Sequence, residues 1–131
     1  MVPTFCLSVE VDELFINAGL QDRVIQEFEG VMYMDFDKDH LATHGCGRYE
    51  RIPSAALSKF CPLLFLAYQH DPSDSGKIHS DVKQRWLNGE KEVVDAMAEF
   101  GRLSDQARTA ILDGDKQQLA TLMDANFNLR R

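Results

Sequence analysis

The spacing of apolar residues is most regular in the last third of the chain, where it predicts two helices. Across Glu90–Leu112 apolar side chains recur at intervals of three and four, which places them on one face of a helix. They are Val93, Val94, Met97, Phe100, Leu103, Ala107, Ile111 and Leu112. Gly101 interrupts this face and predicts a kink or a close packing contact. The segment Asp113–Asp115 ends the helix and caps a second one, so an antiparallel pair with a short turn is expected.

Shorter elements are predicted between residues 31 and 68. The run Val31–Phe36 is aromatic and apolar and the run Arg48–Ile52 alternates, so each predicts a strand. The polar segment Asp37–His40 between them predicts a turn. The continuous apolar run Leu63–Tyr68 fits a strand covered on both faces, although its periodicity alone also allows a helix.

The remaining segments are predicted to be helical. Pro3 suits the first turn of a helix that reaches about Phe15, although the apolar residues in its middle equally allow a strand. Asn17–Leu20 breaks the pattern and Gln21–Phe28 resumes it, which predicts helix, break and helix. A further helix is predicted over His79–Leu87, before an Asn-Gly stop signal. Trp86 on this helix is interpreted as a core or domain-packing residue.

Composition narrows the class of protein. The 131 residues are 44% hydrophobic and carry 14 basic against 21 acidic side chains, a formal net charge of −7. This acidic balance argues against a nucleic-acid partner. No apolar run approaches the ~18 residues of a membrane span, and no signal peptide is recognisable, so a cytoplasmic protein without a membrane partner is expected. Cys6, Cys46 and Cys61 form no CxxC pair and are expected to be buried or partly buried free thiols.

A metal site is considered and not predicted. Asp39, His40, His44 and Cys46 lie close together in the sequence, but their spacing matches no zinc module. The segment is rich in glycine and is interpreted as a surface loop. No residue is therefore assigned to a metal.

The stretch from Gly19 to Arg23 is the first candidate for chemistry. It places an amide, a carboxylate and a guanidinium at a helix start, just after a glycine that lets a ligand approach the backbone. The carboxylate of Asp22 can accept or orient a hydroxyl proton, while Arg23 keeps it ionised. The residues alone equally allow a capping aspartate with an exposed arginine.

The second candidate is Ser75–Lys77, interpreted as a turn just before a helix. A hydroxyl, a flexible backbone and a cation together suit an anionic group, either a sugar carboxylate or a transferred phosphoryl. The segment is not a Walker loop, because Asp71 stands where glycine is required and Ile78 replaces Ser or Thr. A capped helix start with a solvated lysine remains the alternative.

Both segments resemble parts of GHMP sugar kinases. Gly19-Leu20-Gln21-Asp22 resembles the Gly-x-x-Asp segment of this superfamily, and with the following run Gly30–Phe36 it resembles heptose-phosphate kinases and plant-type glucuronokinases. Tyr68–Ser80, which pairs an Asp-Ser-Gly-Lys turn with His-Ser, resembles a glucuronokinase segment. The resemblance extends from about Pro3 to Arg131.

The resemblance implies an α+β, GHMP-kinase C-terminal-type fold, with antiparallel strands packed against C-terminal helices. Residues 1–30 are expected to come from the N-terminal domain or the junction, and residues 31–131 from an incomplete C-terminal domain. The family's catalytic base falls on Asp22. Substrate-binding roles fall on Gly19, Gln21, Arg23, Ser75, Gly76, Lys77 and His79.

The resemblance also implies ATP and Mg²⁺, but the family's Gly/Ser phosphate-binding loop and its late Gly-rich motif do not occur in this sequence. The chain is therefore expected to be a fragment of a kinase that phosphorylates D-glucuronate, or a related sugar, at the anomeric hydroxyl. It is expected to be inactive alone, and either to need a missing N-terminal ATP-binding portion or to self-associate. The alternatives are a non-catalytic sugar-binding or interaction module and a heptose-phosphate-type sugar kinase.

Overall fold

Residues 2–15, 18–60, 67, 68, 70 and 75–131 are the part of the chain that the computed structural model describes, with side chains described from residue 80 onward in the last range. The chain divides into two units, Met1–Pro53 and Ser54–Arg131. The described residues are mostly helical and include one two-stranded antiparallel sheet. This mixture of helix and strand is compatible with the predicted α+β class. The domain boundary at residue 30 stays a prediction.

The first unit begins with the predicted sequence of helix, break and helix. Helix α1 spans Val2–Ser8 and continues into a π-helical turn, Val9–Glu13. Helix α2 spans Leu20–Phe28. Pro3 is buried and lies in the first turn of α1, where its missing N–H is not needed. Val24 is the fully buried apolar residue of α2.

A two-stranded sheet completes the first unit and confirms two of the predicted strands. Strand β1 spans Met32–Asp35 and strand β2 spans Arg48–Arg51, paired antiparallel so that the first residue of each faces the last of the other. Gly47 precedes β2 where a Cβ atom would lie 2.6 Å from the Asp35 carbonyl oxygen. Its N–H donates to the hydroxyl of Tyr49 at 3.0 Å. Only glycine fits this position without displacing the sheet.

The segment between the two strands is a helix, so the predictions of a turn and of a surface loop there are wrong. It forms helix α3, Lys38–His44. The carboxylate of Asp37 accepts the N–H of His40 at 2.8 Å and so caps the helix start. Gly45 ends the helix with a φ of 69°, a left-handed conformation that glycine adopts without strain. The polar residues that suggested a turn are therefore a helix cap and a first helical turn.

The second unit is built around the predicted helical pair. Helix α6 spans Lys91–Asp113 and α7 spans Lys116–Leu129. Gly114 ends α6 with a φ of 77°, and Asp115 caps α7 by accepting the N–H of Gln118 at 2.9 Å. The two helices bury one apolar cluster: Leu103, Ala110 and Leu122, with Ala107, Leu119, Ala125 and Leu129 packed against it. The short turn and this shared cluster confirm the antiparallel pair.

Helices α4 (Ser54–Leu57) and α5 (Ser75–Leu87) both pack against α6. Since α5 begins at Ser75 rather than His79, the Ser75–Lys77 segment is the first turn of a helix and not a turn before one. The interpretation of Trp86 as a core residue is wrong, because its side chain is 42% exposed. Helix α6 runs unbroken through Gly101, where a Cβ atom would meet no described neighbour within 4 Å, so the predicted close packing contact is wrong.

Two further expectations concern thiols and membranes. Cys6 and Cys46 are free thiols, as expected, but Cys6 is exposed rather than buried. Cys61 and most of the predicted strand Leu63–Tyr68 lie outside the described residues. Within the described ranges, every helix is too short or too polar to cross a bilayer.

Candidate functional site

The start of α2 carries the main candidate residue. Gly19 precedes the helix in an extended conformation, and the space around it is open, since no described residue lies within 4 Å of the place a Cβ would occupy. Gln21 and Asp22 follow in the first turn, and the Asp22 side chain is 72% exposed. The first-turn N–H groups and the helix dipole favour a carboxylate at this end of a helix. Asp22 is therefore both accessible and electrostatically placed to meet a polar ligand.

Arg23 connects this carboxylate to a second one. Its guanidinium binds the Glu10 carboxylate, and its Nη1 lies 3.3 Å from Oδ2 of Asp22. The Arg23 side chain is only 16% exposed, so the alternative of an exposed arginine is wrong. The pKa of Arg23 is raised, first by its hydrogen bond to Glu10 and then by the charges of Glu10, Asp22 and Cys6, against an opposing effect of desolvation. The guanidinium thus stays charged beside Asp22.

Glu10 was not singled out from the sequence, although it is the main partner of Arg23. It lies in the π-helical turn Val9–Glu13, where its side chain is 25% exposed. Its Oε2 is buried and, in the described part of the chain, has no hydrogen-bond partner. The available signal is an acidic residue between two apolar ones, Val9 and Val11.

Together the three side chains can hold a neutral polar group. Two carboxylates and one guanidinium carry a net charge of −1, and the accessible member is Asp22. An exposed carboxylate can accept a proton from a hydroxyl or orient it by hydrogen bonding. An anionic group would be repelled here, so this end of the site suits a hydroxyl rather than a carboxylate or phosphate.

The second candidate segment lies in the other unit. Ser75, Gly76, Lys77 and His79 occupy the first turns of α5, but their side chains lie outside what the structure describes. The described geometry therefore brings Gly19, Gln21, Asp22 and Arg23 together at one helix start and gives the α5 residues a helical backbone only.

No described residues form an obvious site for a divalent ion. His40 and His44 stack on α3 with ring centroids 4.1 Å apart, and His44 Nδ1 lies 3.1 Å from the His40 carbonyl oxygen. Within the described ranges, three or more His, Cys, Asp or Glu side chains nowhere come together in a metal-binding arrangement. No chemical step is therefore assigned through a metal ion held by the described residues.

Curated relatives were found for nearly the whole chain. It is 46% identical over 129 residues to Glucuronokinase 1 of Arabidopsis thaliana and 45% identical over 130 residues to Probable glucuronokinase 2 of the same plant. Each alignment covers 98% of this chain and 34% of the relative, so the chain spans about a third of their length. No family model and no solved structure matches. Across 98% of its length, this chain is therefore similar to two plant proteins named as glucuronokinases, as its motifs indicated.

Proposed function

We propose that this chain carries the sugar-activating part of a kinase that phosphorylates D-glucuronate at the anomeric hydroxyl. The observation that supports it most is the exposed Asp22 carboxylate at the start of α2, held beside a half-buried arginine. The similarity to two glucuronokinases supplies the substrate class. The GHMP-kinase C-terminal-type fold is part of the same proposal.

Asp22 is the proposed base. One of its oxygens accepts the proton of the anomeric hydroxyl, which leaves the sugar oxygen free to attack a phosphoryl group. The open space at Gly19 lets the sugar approach the helix start, and Gln21 offers an amide for a neighbouring hydroxyl. The net negative charge around Asp22 repels the sugar carboxylate, so the sugar approaches Asp22 with its anomeric hydroxyl.

The α5 segment of the second unit is proposed separately to contact anionic parts of the ligands, either a sugar carboxylate or a transferred phosphoryl. Lys77 supplies a positive charge, and the first turn of α5 supplies backbone N–H groups that are unpaired within the helix. Ser75, Gly76 and His79 complete this proposed contact. Because the chain carries a net charge of −7, such local cations are needed to hold any anion.

We propose that ATP and Mg²⁺ are held by residues outside this chain. The sequence contains no Gly/Ser phosphate-binding loop, and its described residues do not form a divalent-ion site. Phosphoryl transfer depends on holding the donor and the metal in line with the acceptor. The 131 residues alone are therefore expected to show little or no turnover.

A coupled ADP-release assay with D-glucuronate and MgATP tests the proposal. It is run on the 131-residue chain and on the longest open reading frame that contains it, each with and without Asp22→Asn. The longer protein should turn over, and Asp22→Asn should lower kcat by at least about a hundredfold, the scale of a lost general base. Asp124→Asn, the same change at an exposed position of α7, is the matched control. Equal activity in the two variants would remove Asp22 from the proposal.

A non-catalytic sugar-binding or interaction module is the second candidate, and exposed apolar side chains favour it. Phe5 and Phe15 in the first unit and Phe127 in the second are largely exposed. Exposed apolar side chains mark a surface that associates with another protein where they lie together in one contiguous patch. Calorimetry distinguishes the two candidates, since a module binds D-glucuronate or a protein partner without any ADP release in the longer protein.

A further inference from the structure

The guanidinium of Arg23 divides its hydrogen bonds unequally between two carboxylates. Its Nη2 makes a close contact with Oε1 of Glu10, whereas its Nη1 is 3.3 Å from Oδ2 of Asp22. Charge-assisted N–H···O bonds are normally 2.7–2.9 Å long, roughly, so the contact with Asp22 is a weak one. Glu10 is therefore the partner that fixes the guanidinium.

Burial explains why this pairing dominates. Glu10 and Arg23 are both largely withdrawn from water, while Asp22 is mostly solvated. A buried charge needs its partner more than an exposed one does, since water no longer competes for it. Glu10 also comes from the π-helical turn, a rare local conformation that occurs frequently at functional sites.

We infer that Glu10 is a positioning residue that keeps Arg23 from pairing fully with Asp22, so that the Asp22 carboxylate stays open to an acceptor hydroxyl. The benefit of this arrangement to catalysis rests on the proposed function, whereas the contacts of Arg23 with Glu10 and Asp22 do not.

Removal of Glu10 should change which carboxylate holds the arginine. The Arg23 guanidinium already lies 3.3 Å from Asp22, and once freed from Glu10 it can shorten this contact to a full charge-assisted hydrogen bond. Such a bond would occupy an oxygen that a sugar hydroxyl needs. Cys6 also contributes to the electrostatic field at Arg23 and remains in place in every variant tested.

The test measures proton exchange at the Arg23 guanidinium by NMR in the 131-residue chain, with the signals assigned through Arg23→Lys. In the wild-type chain, Asp22→Asn should change the exchange rate by less than about twofold, because Glu10 still holds the guanidinium. In a Glu10→Gln background, the same Asp22→Asn change should raise the rate by about tenfold or more, because no carboxylate remains. Glu13→Gln, an exposed glutamate of the same turn, is the control background.

Equal effects of Asp22→Asn in the wild-type and Glu10→Gln backgrounds would overturn the inference. So would a large effect of Asp22→Asn in the wild-type chain. If Glu10→Gln does not fold, Glu10→Asp keeps the charge on a shorter side chain and should give the same pattern with a smaller amplitude.

A second measurement relates this geometry to the sugar. Titration calorimetry with D-glucuronate should show that Glu10→Gln weakens binding by about tenfold, as Asp22→Asn does, while Glu13→Gln changes it by less than about twofold. A full loss in Asp22→Asn with none in Glu10→Gln would overturn the inference. Failure of the wild-type chain to bind D-glucuronate would count against the proposed function, whereas the exchange data would still decide the role of Glu10.

Discussion

The two units of this protein are stabilised in different ways. In Ser54–Arg131, a long helical pair buries a continuous apolar cluster, and its ion pairs at Arg85, Lys91 and Arg102 lie at the surface. In Met1–Pro53 the elements are short, and a half-buried ion pair between Arg23 and Glu10 accompanies a few buried apolar residues. Regular apolar packing therefore stabilises one unit, while the other holds the charged side chains of the candidate site, Glu10, Asp22 and Arg23.

The largest expected effect is the loss of a core residue from the helical pair. Leu103 is 5% exposed and lies in the cluster between α6 and α7, so Leu103→Ala should lower the free energy of unfolding by about 2–5 kcal/mol. Urea denaturation followed by circular dichroism measures the change. Met123→Ala, at a side chain 57% exposed on α7, should cost less than about 1 kcal/mol. Equal losses would show that the apolar cluster is not what stabilises this unit.

Replacing glycine by alanine should change the stability of the two units in opposite directions. Gly47→Ala places a Cβ against the Asp35 carbonyl oxygen and should destabilise the sheet by about 1–3 kcal/mol. Gly101→Ala adds a methyl group in open space on α6 and should stabilise the helix by up to about 1 kcal/mol. Differential scanning calorimetry of both variants measures the two shifts, and a shift of the same sign in both would contradict the described geometry.

Helix caps offer a closer comparison between the units. Asp115→Ala removes the cap of α7 and should cost about 1 kcal/mol in the unfolding free energy. Asp37→Ala removes the same kind of cap from α3, whose two turns contribute less packing. Amide hydrogen exchange measures each helix separately. The Asp37 variant should expose α3 locally, whereas the Asp115 variant should lower protection across both α6 and α7.

The sequence predicted the helical pair of the second unit well, but it missed shorter helical segments in both units. The helices α6 and α7 were predicted closely because their apolar spacing repeats over several turns and their contacts are local. Helix α3 was missed because Asp37 and Gly45, which look like turn residues, act as its cap and its end. The start of α5 was missed because Ser75 and Gly76 also look like a turn.

The candidate site was only partly predictable for a different reason. Asp22 and Arg23 are adjacent in sequence, so their proximity needed no structure. Glu10 is thirteen residues from Arg23, and its contact depends on how α1, the π-helical turn and α2 fold together. A sequence pattern of period 2 or 3.6 carries no signal for such a pair.

The smallest expected effect is the pH dependence of a surface pair in the helical unit. The hydrogen bond from Arg102 lowers the pKa of Glu99 below its ordinary value of 4.5. A lowered pKa in the folded state means that the pair stabilises the protein above about pH 4.5 and that this stabilisation disappears as the pH falls through the lower folded value. Glu99→Gln should therefore be slightly less stable than the wild type at pH 7, and this difference should shrink as the pH falls below 4.5.

Unfolding curves at several pH values measure this difference. Glu27→Gln, the same change at an exposed position of α2, is the control in the first unit. A difference between Glu99→Gln and the wild type that does not vary with pH would show that the ion pair is not its source.

The claim that the first unit carries the sugar-activating carboxylate is tested most directly by the ADP-release assay on the longer protein with Asp22→Asn and Asp124→Asn. The proposal predicts that Asp22→Asn loses at least about a hundredfold in kcat with D-glucuronate while Asp124→Asn retains wild-type activity. Wild-type turnover in Asp22→Asn would contradict it.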